Sequence, residues 1–250
     1  MRIWGVTDKG AVRSENQDAY YAAVEDDFAL AVVCDGMGGT KNGAVASNIA
    51  VQNFTTAVRA ELSDVTRRRA NLEEAVAGAH DEIIVSAKSN SEFSDMGTTL
   101  VAALLDDYGN CYVVNVGDSR CYSIHRELDA DGNLIRGEIT QITKDHSEVQ
   151  ELLDRGDITA EEARTHPRRN VIMRALCPGV SGSPDIFEFV LPKGDYLLLC
   201  SDGLTNEVDQ RELSFELLYG GSAETAAKRI LDVALSREAR DNVTVVIIEN

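Results

Sequence analysis

Proline, basic charge, paired cysteines and long apolar runs are all in short supply in this 250-residue chain. Four prolines, with no Pro/Ser-rich stretch and no internal repeat, leave nowhere for an interdomain linker, so a single domain over 1–250 is expected. Lys and Arg number 24 against 42 Asp and Glu, a net charge of -18. That balance speaks against nucleic-acid and anionic-membrane partners, whose phosphates would be repelled. The five cysteines include no Cys-x-x-Cys pair, which argues against a disulfide framework and a thiolate zinc site. Cys34 and Cys200 end apolar runs, where a free thiol serves as a small hydrophobe and suits a reducing compartment. No run is long enough for a signal peptide or a membrane span, so the cytoplasm is the expected location.

What remains is ordinary globular material, 44% hydrophobic and 26% charged. Short apolar segments near 28–34, 99–105, 111–116, 195–200 and 243–248 are bounded by Gly, Asp or Asn and predict buried strands. Helical spacing runs through Val45, Ile49, Ala50, Phe54, Ala57 and Val58. It recurs through Leu72, Val76, Ala79, Ile83 and Ala87, and again through Ala223, Ala227, Ile230 and Ala234. The order lacks a regular β-α-β-α alternation, so antiparallel sheets covered by helices, an α+β layered fold, are expected. The stretch 147–186 is polar and carries Arg155, Arg164, Arg168, Arg169 and Arg174, which predicts a surface insertion.

An arrangement of acids recurs at three distant places. Val33-Cys34 runs into Asp35-Gly36-Met37-Gly38-Gly39, Leu199-Cys200 into Ser201-Asp202-Gly203, and Asp241-Asn242 leads into Val243. A lone Asp-Gly is ordinarily a turn former. Three carboxylates where buried strands meet loops also fit convergence on one point, and converging carboxylates raise one another's pKa unless a cation sits among them. All-oxygen donors select hard ions such as Mg²⁺ or Mn²⁺. Two such ions can activate a water and stabilise in-line displacement at phosphorus.

These residues resemble the metal-dependent, type 2C Ser/Thr protein phosphatases in their compact bacterial form. Arg13-Ser14-Glu15-Asn16-Gln17-Asp18 resembles the opening Arg-x-x-Asn-x-Asp motif, and Asp35–Gly39 the Asp-Gly-Met-Gly-Gly turn. Met96-Gly97-Thr98-Thr99, Asn115-Val116-Gly117-Asp118-Ser119-Arg120, Thr143-Lys144-Asp145-His146-Ser147, Ser201-Asp202-Gly203-Leu204 and Asp241-Asn242-Val243-Thr244 follow in family order. The resemblance implies a β-sandwich of two antiparallel sheets flanked by helices, in four α-β-β-α layers, with a flap-like insertion at about 147–186. It implies two Mn²⁺ or Mg²⁺ ions and a weaker third. Asp35 would bridge the pair, the Gly36 carbonyl would complete one sphere, and Asp202 and Asp241 would hold the other ion. Asp18 would orient a metal-bound water or ligate directly, Asp95 would help hold the third ion, and Arg13 would grip the substrate phosphate. Catalysis would then rest on Arg13, Asp18 and Asp35. The implied substrates are proteins phosphorylated on Ser or Thr, in a signalling pathway with a cognate kinase, acted on by a monomer.

Three departures stand out. Met37 occupies a place that is often His in relatives from higher organisms, Gln17 one that is often Glu, and Met173 and Cys177 ones that are commonly Thr and Gly. With Met37 there, the leaving alkoxide's proton falls to metal-bound water. A binding module that keeps the fold without catalysis is the alternative, and the retention of Asp35, Asp202 and Asp241 speaks for an enzyme. Asp118 reads as a turn residue supporting the site, His146 as a capping or locally bonded side chain, and Thr98 and Thr99 as strand residues. His166, Arg168 and Arg169 read as a solvated loop that can also meet acids or phosphate on a phosphopeptide. Arg67-Arg68-Arg69 reads as a solvated helix start.

Overall fold

Strands that are apolar at every position must be covered on both faces, and the chain delivers the covering layers in order. A computed structural model describes all residues except 39–41, 63, 65, 132 and 133, so Gly39 of the glycine turn lies outside the described residues. Strands β1 (Arg2–Asp8), β2 (Ala19–Glu25), β3 (Phe28–Cys34) and the two-residue β4 (Gly36–Met37) precede helices α1 (Asn42–Ala60) and α2 (Arg68–Ser89). Then come β5 (Gly97–Thr98), β6 (Leu100–Asp106), β7 (Asn110–Val116), β8 (Arg120–Leu128) and β9 (Leu134–Gln141). Short helices α3 (Glu148–Asp154) and α4 (Ala160–Thr165) lead to β10 (Asp185–Val190) and β11 (Tyr196–Cys200). Helices α5 (Asp202–Thr205), α6 (Gln210–Tyr219) and α7 (Ala223–Ser236) come before the last strand, β12 (Val243–Glu249).

Two five-stranded antiparallel sheets result, one in the order β1-β12-β11-β8-β9 and one in the order β10-β7-β6-β3-β2. A strand's period of two sorts its side chains between layers. On β3, Ala29, Ala31 and Val33 pack between the sheets against Leu197, Leu199, Val246 and Ile248. Leu30, Val32 and Cys34 face the other way, into a layer with Ala46, Ala50 and Phe54 of α1 and Leu72, Val76 and Ile83 of α2. On the far sheet, Leu198, Cys200, Val245 and Ile247 pack beneath α6 and α7. The four-layer sandwich of antiparallel sheets and flanking helices expected above is what the chain forms.

The segment between β9 and β10 differs. Its helices are short, and the buried apolar residues within it are few: Val149, Ala175 and Leu176. Leu176 bridges to Thr98 of β5, and Ile172 to Ser147. Residues 185–186, placed by the sequence in the insertion, are the first rungs of β10 on β7. Arg68 is also not solvated. It is buried at the start of α2, paired with Asp106 at 3.1 Å and stacked on the Phe28 ring. A long amphipathic stem let it enter the core once a carboxylate was waiting there.

Candidate active site

β3, β11 and β12 lie in different sheets or run in different directions, yet their Asp-bearing ends meet at one edge of the sandwich. β11 pairs antiparallel with β12, so the last residue of β11 lies beside the start of β12: Cys200 opposes Val245. Asp202, at the first position of α5, and Asp241, just before β12, are thereby neighbours. Gly203 makes the approach close enough, because a Cβ there would stand 2.0 Å from the Asn242 carbonyl oxygen. From the other sheet, β3 delivers Asp35, and the loop after β1 delivers Arg13 and Asp18.

Asp35 is seated by its backbone. Its N–H donates to Thr99 Oγ1 at 3.0 Å, and its carbonyl accepts from the Thr98 hydroxyl at 2.9 Å. Thr99 is in turn bonded to Ser119. Both threonines read from the sequence as strand residues; Thr98 ends β5, Thr99 falls in the gap before β6, and the two fix the Asp35 peptide. Asp18 is buried, and its Oδ2 accepts from Ser201 Oγ at 2.8 Å and Thr244 Oγ1 at 2.6 Å, while its Oδ1 is buried with no hydrogen-bond partner. Asn242 secures the loop that carries Arg13. Its Oδ1 accepts from the Gln17 N–H, and its Nδ2 donates to the carbonyls of Lys9 and Glu15. Sequence reasoning passed over Ser201, Thr244 and Asn242, although all three lie inside the motifs it singled out.

The electrostatics are those of a crowded acidic pocket. Burial first, then Asp18, Asp202, Asp118 and Asp241, push the Asp35 carboxyl well above the usual carboxylate range. Burial raises Asp18 to about 7, with Asp202 and Asp241 adding to it against the two hydroxyl bonds. Asp118 is pushed up to about 8 by burial, Asp202 and Asp145. Asp202 is raised by burial and by Asp241, while a hydrogen bond from Asp35 lowers it. Two carboxyls within hydrogen-bonding reach must share a proton or a cation. Burial and mutual repulsion thus disfavour the charged form of both Asp35 and Asp202. Asp241 has a different partner, Arg13 Nη2 at 2.7 Å.

These pairings explain one further fact. Among the described residues, no three Asp, Glu, His or Cys side chains surround a single point closely enough to hold a metal ion as they stand. Asp241 is turned onto Arg13 and Asp35 onto Asp202. The donor set nonetheless suits hard divalent ions: all oxygen, strongly acidic, with one orphaned carboxylate oxygen. Beside it, a Cβ on Gly43 would crowd the Gly36 carbonyl oxygen at 2.6 Å. Of the residues singled out beforehand, Arg13, Asp18, Asp35, Asp202 and Asp241 come together, with Gly36 next to Asp35. Asp95 stands across the Gly38 turn, its carboxylate accepting from Asn42 Nδ2 at 2.5 Å.

Asp118 joins the acidic cluster, while its neighbour Arg120 forks onto Asp145 through Nε and Nη2. His146 does not cap α3; Ser147 does, accepting from the Gln150 N–H. His146 is buried instead, its Nδ1 accepting from the Gly117 N–H and its Nε2 facing Asp185 at 3.0 Å. At the rim, Cys177 and Met37 close over Gly97, where a Cβ would meet the Cys177 Cβ at 2.6 Å. Small Gly97 leaves room beside it for both Met37 and Cys177, two of the departures from the family pattern.

Known proteins share this sequence pattern and fold. The family model for protein phosphatase 2C matches residues 10–238. The serine/threonine phosphatase stp of Listeria innocua is 36% identical over 248 residues, covering 97% of this chain and 93% of that protein. Among solved structures, the serine/threonine phosphatase Stp1 from Staphylococcus aureus superposes with a TM-score of 0.87 at 36% identity, over 99% of this chain and 95% of that one. The catalytic domain of the serine/threonine protein phosphatase PstP, in complex with two manganese ions, superposes with a TM-score of 0.83 at 34% identity, over 98% of this chain and 96% of that one. With the motifs in order, the acidic ends gathered and the match running nearly end to end, the chain belongs to the protein phosphatase 2C family.

Proposed function

We propose that the protein is a metal-dependent phosphatase acting on phosphoserine and phosphothreonine in proteins. Asp35, the Gly36 carbonyl, Asp202 and Asp241 would hold two Mn²⁺ or Mg²⁺ ions, and Asp95 would help to hold a weaker third. The observation that carries this reading is the gathering of Asp18, Asp35, Asp118, Asp202 and Asp241, five carboxylates that raise one another with only Arg13 and Arg120 set against them. Bound there, such ions would supply a water of lowered pKa and positive charge to offset that of a phosphoryl group under attack.

The chain's own residues do the rest. Arg13 has half its side chain exposed and offers a planar, permanently charged fork to the substrate phosphate. Asp18 is locked through Oδ2, which leaves its unpartnered Oδ1 to orient a metal-bound water or to ligate directly. Asp35 and Asp202 would serve as anionic oxygen ligands, and a divalent cation between them would relieve the repulsion that raises both. Met37 has no proton to donate, so no side chain at that turn serves the leaving alkoxide as acid.

The domain is single, with the segment from 147 up to the start of β10 acting as a flap over the site. The protein works as a monomer in the cytoplasm, where it opposes a Ser/Thr kinase. No helix among the described residues is long and apolar enough to cross a membrane. The test is metal dependence. Purified protein hydrolyses a phosphothreonine peptide and a small aryl phosphate with Mn²⁺, and EDTA abolishes both activities. Asp35→Asn and Asp202→Asn each lower kcat by roughly a hundredfold or more, with the circular dichroism spectrum retained. Wild-type turnover in those variants would remove the site.

A further inference from the structure

A groove of about 340 Å³ opens off the acidic cluster. Its lining joins Asp118, Asp202 and Asn206 to Arg164, Arg169 and Asn170 from the segment between β9 and β10. The other charged groups there are engaged: Asp145 with Arg120, and Asp209 as the cap of α6. The β9–β10 segment carries five arginines, and they divide cleanly. Arg155 pairs with Asp157, Arg168 with Glu148, and Arg174 with Asp185. Those three hold the segment's own structure. Arg164 and Arg169 make no side-chain hydrogen bond or ion pair among the described residues, and they are the two that face the groove. Glu212 of α6 lies near enough to Arg164 to feel its charge, but it is bonded to Arg237.

In a chain with 42 acidic residues and 24 basic ones, two exposed guanidinium groups bonded to no carboxylate are conspicuous. The carboxylates of the lining repel an acidic side chain, and these two arginines attract one. We infer that Arg164 and Arg169 form an anion-recognising subsite that reads an acidic group on the phosphoprotein, at a distance in sequence from the phosphoresidue being cleaved. A guanidinium fork accepts a carboxylate or a second phosphate with the same geometry, so both sources share this chemistry. The inference rests on the phosphatase reading above, because the groove leads from that site. Arg169 and Arg164 act on selection of the substrate, not on the reacting atoms. Their contribution is therefore sensitive to salt, as exposed pairs are.

The experiment uses the full chain with Mn²⁺ and a set of phosphothreonine peptides. One is neutral around the phosphothreonine. The others carry a single Glu, or a single second phosphothreonine, stepped outward on either side. Wild-type turnover of a small aryl phosphate is measured first, and failure there ends the phosphatase reading rather than this one. The expected result is that kcat/KM, chiefly through KM, favours at least one acidic or doubly phosphorylated peptide over the neutral one. That ratio falls by roughly two- to fivefold in each of Arg164→Gln and Arg169→Gln. Arg169→Lys keeps part of it, Arg169→Glu reverses it, and raised salt erodes it in the wild type. Preference for Glu identifies carboxylates as the ligand, and preference confined to the doubly phosphorylated peptides identifies phosphate. A wild type indifferent to every acidic position, or variants that lose the neutral and acidic peptides in equal measure, would overturn the inference.

Discussion

The edge of the sandwich that carries the carboxylates and the segment that overhangs it are built on opposite plans. At the edge, each acid rests on completed hydrogen bonds: Asp35 on Thr98 and Thr99, Asp18 on Ser201 and Thr244, and the Arg13 loop on Asn242. The supporting strands are among the most deeply buried in the molecule. Between β9 and β10 the polypeptide is mostly exposed, its helices span six and seven residues, and ion pairs at the surface do much of the holding. Surface ion pairs contribute little stability, whereas buried packing and satisfied polar groups contribute most of it. The contrast teaches a division of labour. Groups that must be placed to within a fraction of an ångström sit on rigid elements, and groups that meet varied protein substrates sit on an adaptable one.

The sharpest way to break the rigid side is at Asn242. This buried amide serves one N–H and two carbonyls of the loop bearing Arg13. Asn242→Ala leaves those groups unpartnered at a cost of about 1–3 kcal/mol, seen as a lower denaturation midpoint. Arg13 loses its fixed position, so KM for peptide and aryl phosphate rises together and kcat falls, by roughly tenfold in kcat/KM. An effect on stability with kinetics intact would separate Asn242 from the placement of Arg13.

The acidic edge also makes the comparison pH-dependent. A carboxyl whose pKa is higher in the folded protein keeps its proton after the unfolded chain has lost it. With Asp18 at about 7 and Asp118 at about 8, the metal-free protein loses stability as pH climbs from about 4, the ordinary carboxylate value, through that range. The melting temperature of the metal-free protein therefore falls between pH 5 and pH 8 (roughly the interval between ordinary and raised carboxylate values), and Mn²⁺ raises it more at the alkaline end. Asp35→Asn removes one of the crowded charges, so the metal-free variant declines less with pH. A midpoint that rises across this range would contradict the crowding of unpaired carboxylates.

How much of this was legible in the sequence depended on whether a residue's role left a local pattern. The five strands read as apolar runs are the buried β3, β6, β7, β11 and β12, and their ends carry the acids. Strands β1, β2, β8, β9 and β10 were not legible. Each is half exposed or lies at or near a sheet edge, so its side chains carry no continuous apolar signal. Helix α2 buries Leu72, Val76, Ala79, Ile83 and Ala87, as its spacing predicts, while Ala57 of α1 points to solvent. Motif order placed Asp35, Asp202 and Asp241 together. It could not reveal that Ser201 and Thr244 clamp Asp18, because that contact spans more than 180 residues and depends on how β11 and β12 pair. Nor could it tell which arginines of the overhanging segment are engaged, since their partners Glu148 and Asp185 are unremarkable surface acids in the sequence.

The adaptable side gives the smallest effect and the finest test. Helix α4 has six residues, too few to persist on its own, and its start is secured by a reciprocal pair: Thr159 Oγ1 accepts from the Glu162 N–H, and Glu162 accepts from the Thr159 N–H. Thr159→Ala removes half of that box, at a cost of about 1 kcal/mol felt by the helix alone. Because α4 buries no residue, the sandwich loses nothing by its fraying, so the global melting temperature stays within about a degree of the wild type. Amide hydrogen exchange locates the difference. Protection falls at Ala163 and its neighbours, while the amides of β3 and β11 exchange as slowly as before. Arg164 sits on this helix, so looser placement of its guanidinium lowers discrimination among peptides before it lowers turnover of an aryl phosphate. If Thr159→Ala instead sped exchange throughout β3 and β11, the two regions would unfold as one unit, and the division between a rigid edge and an adaptable overhang would fail.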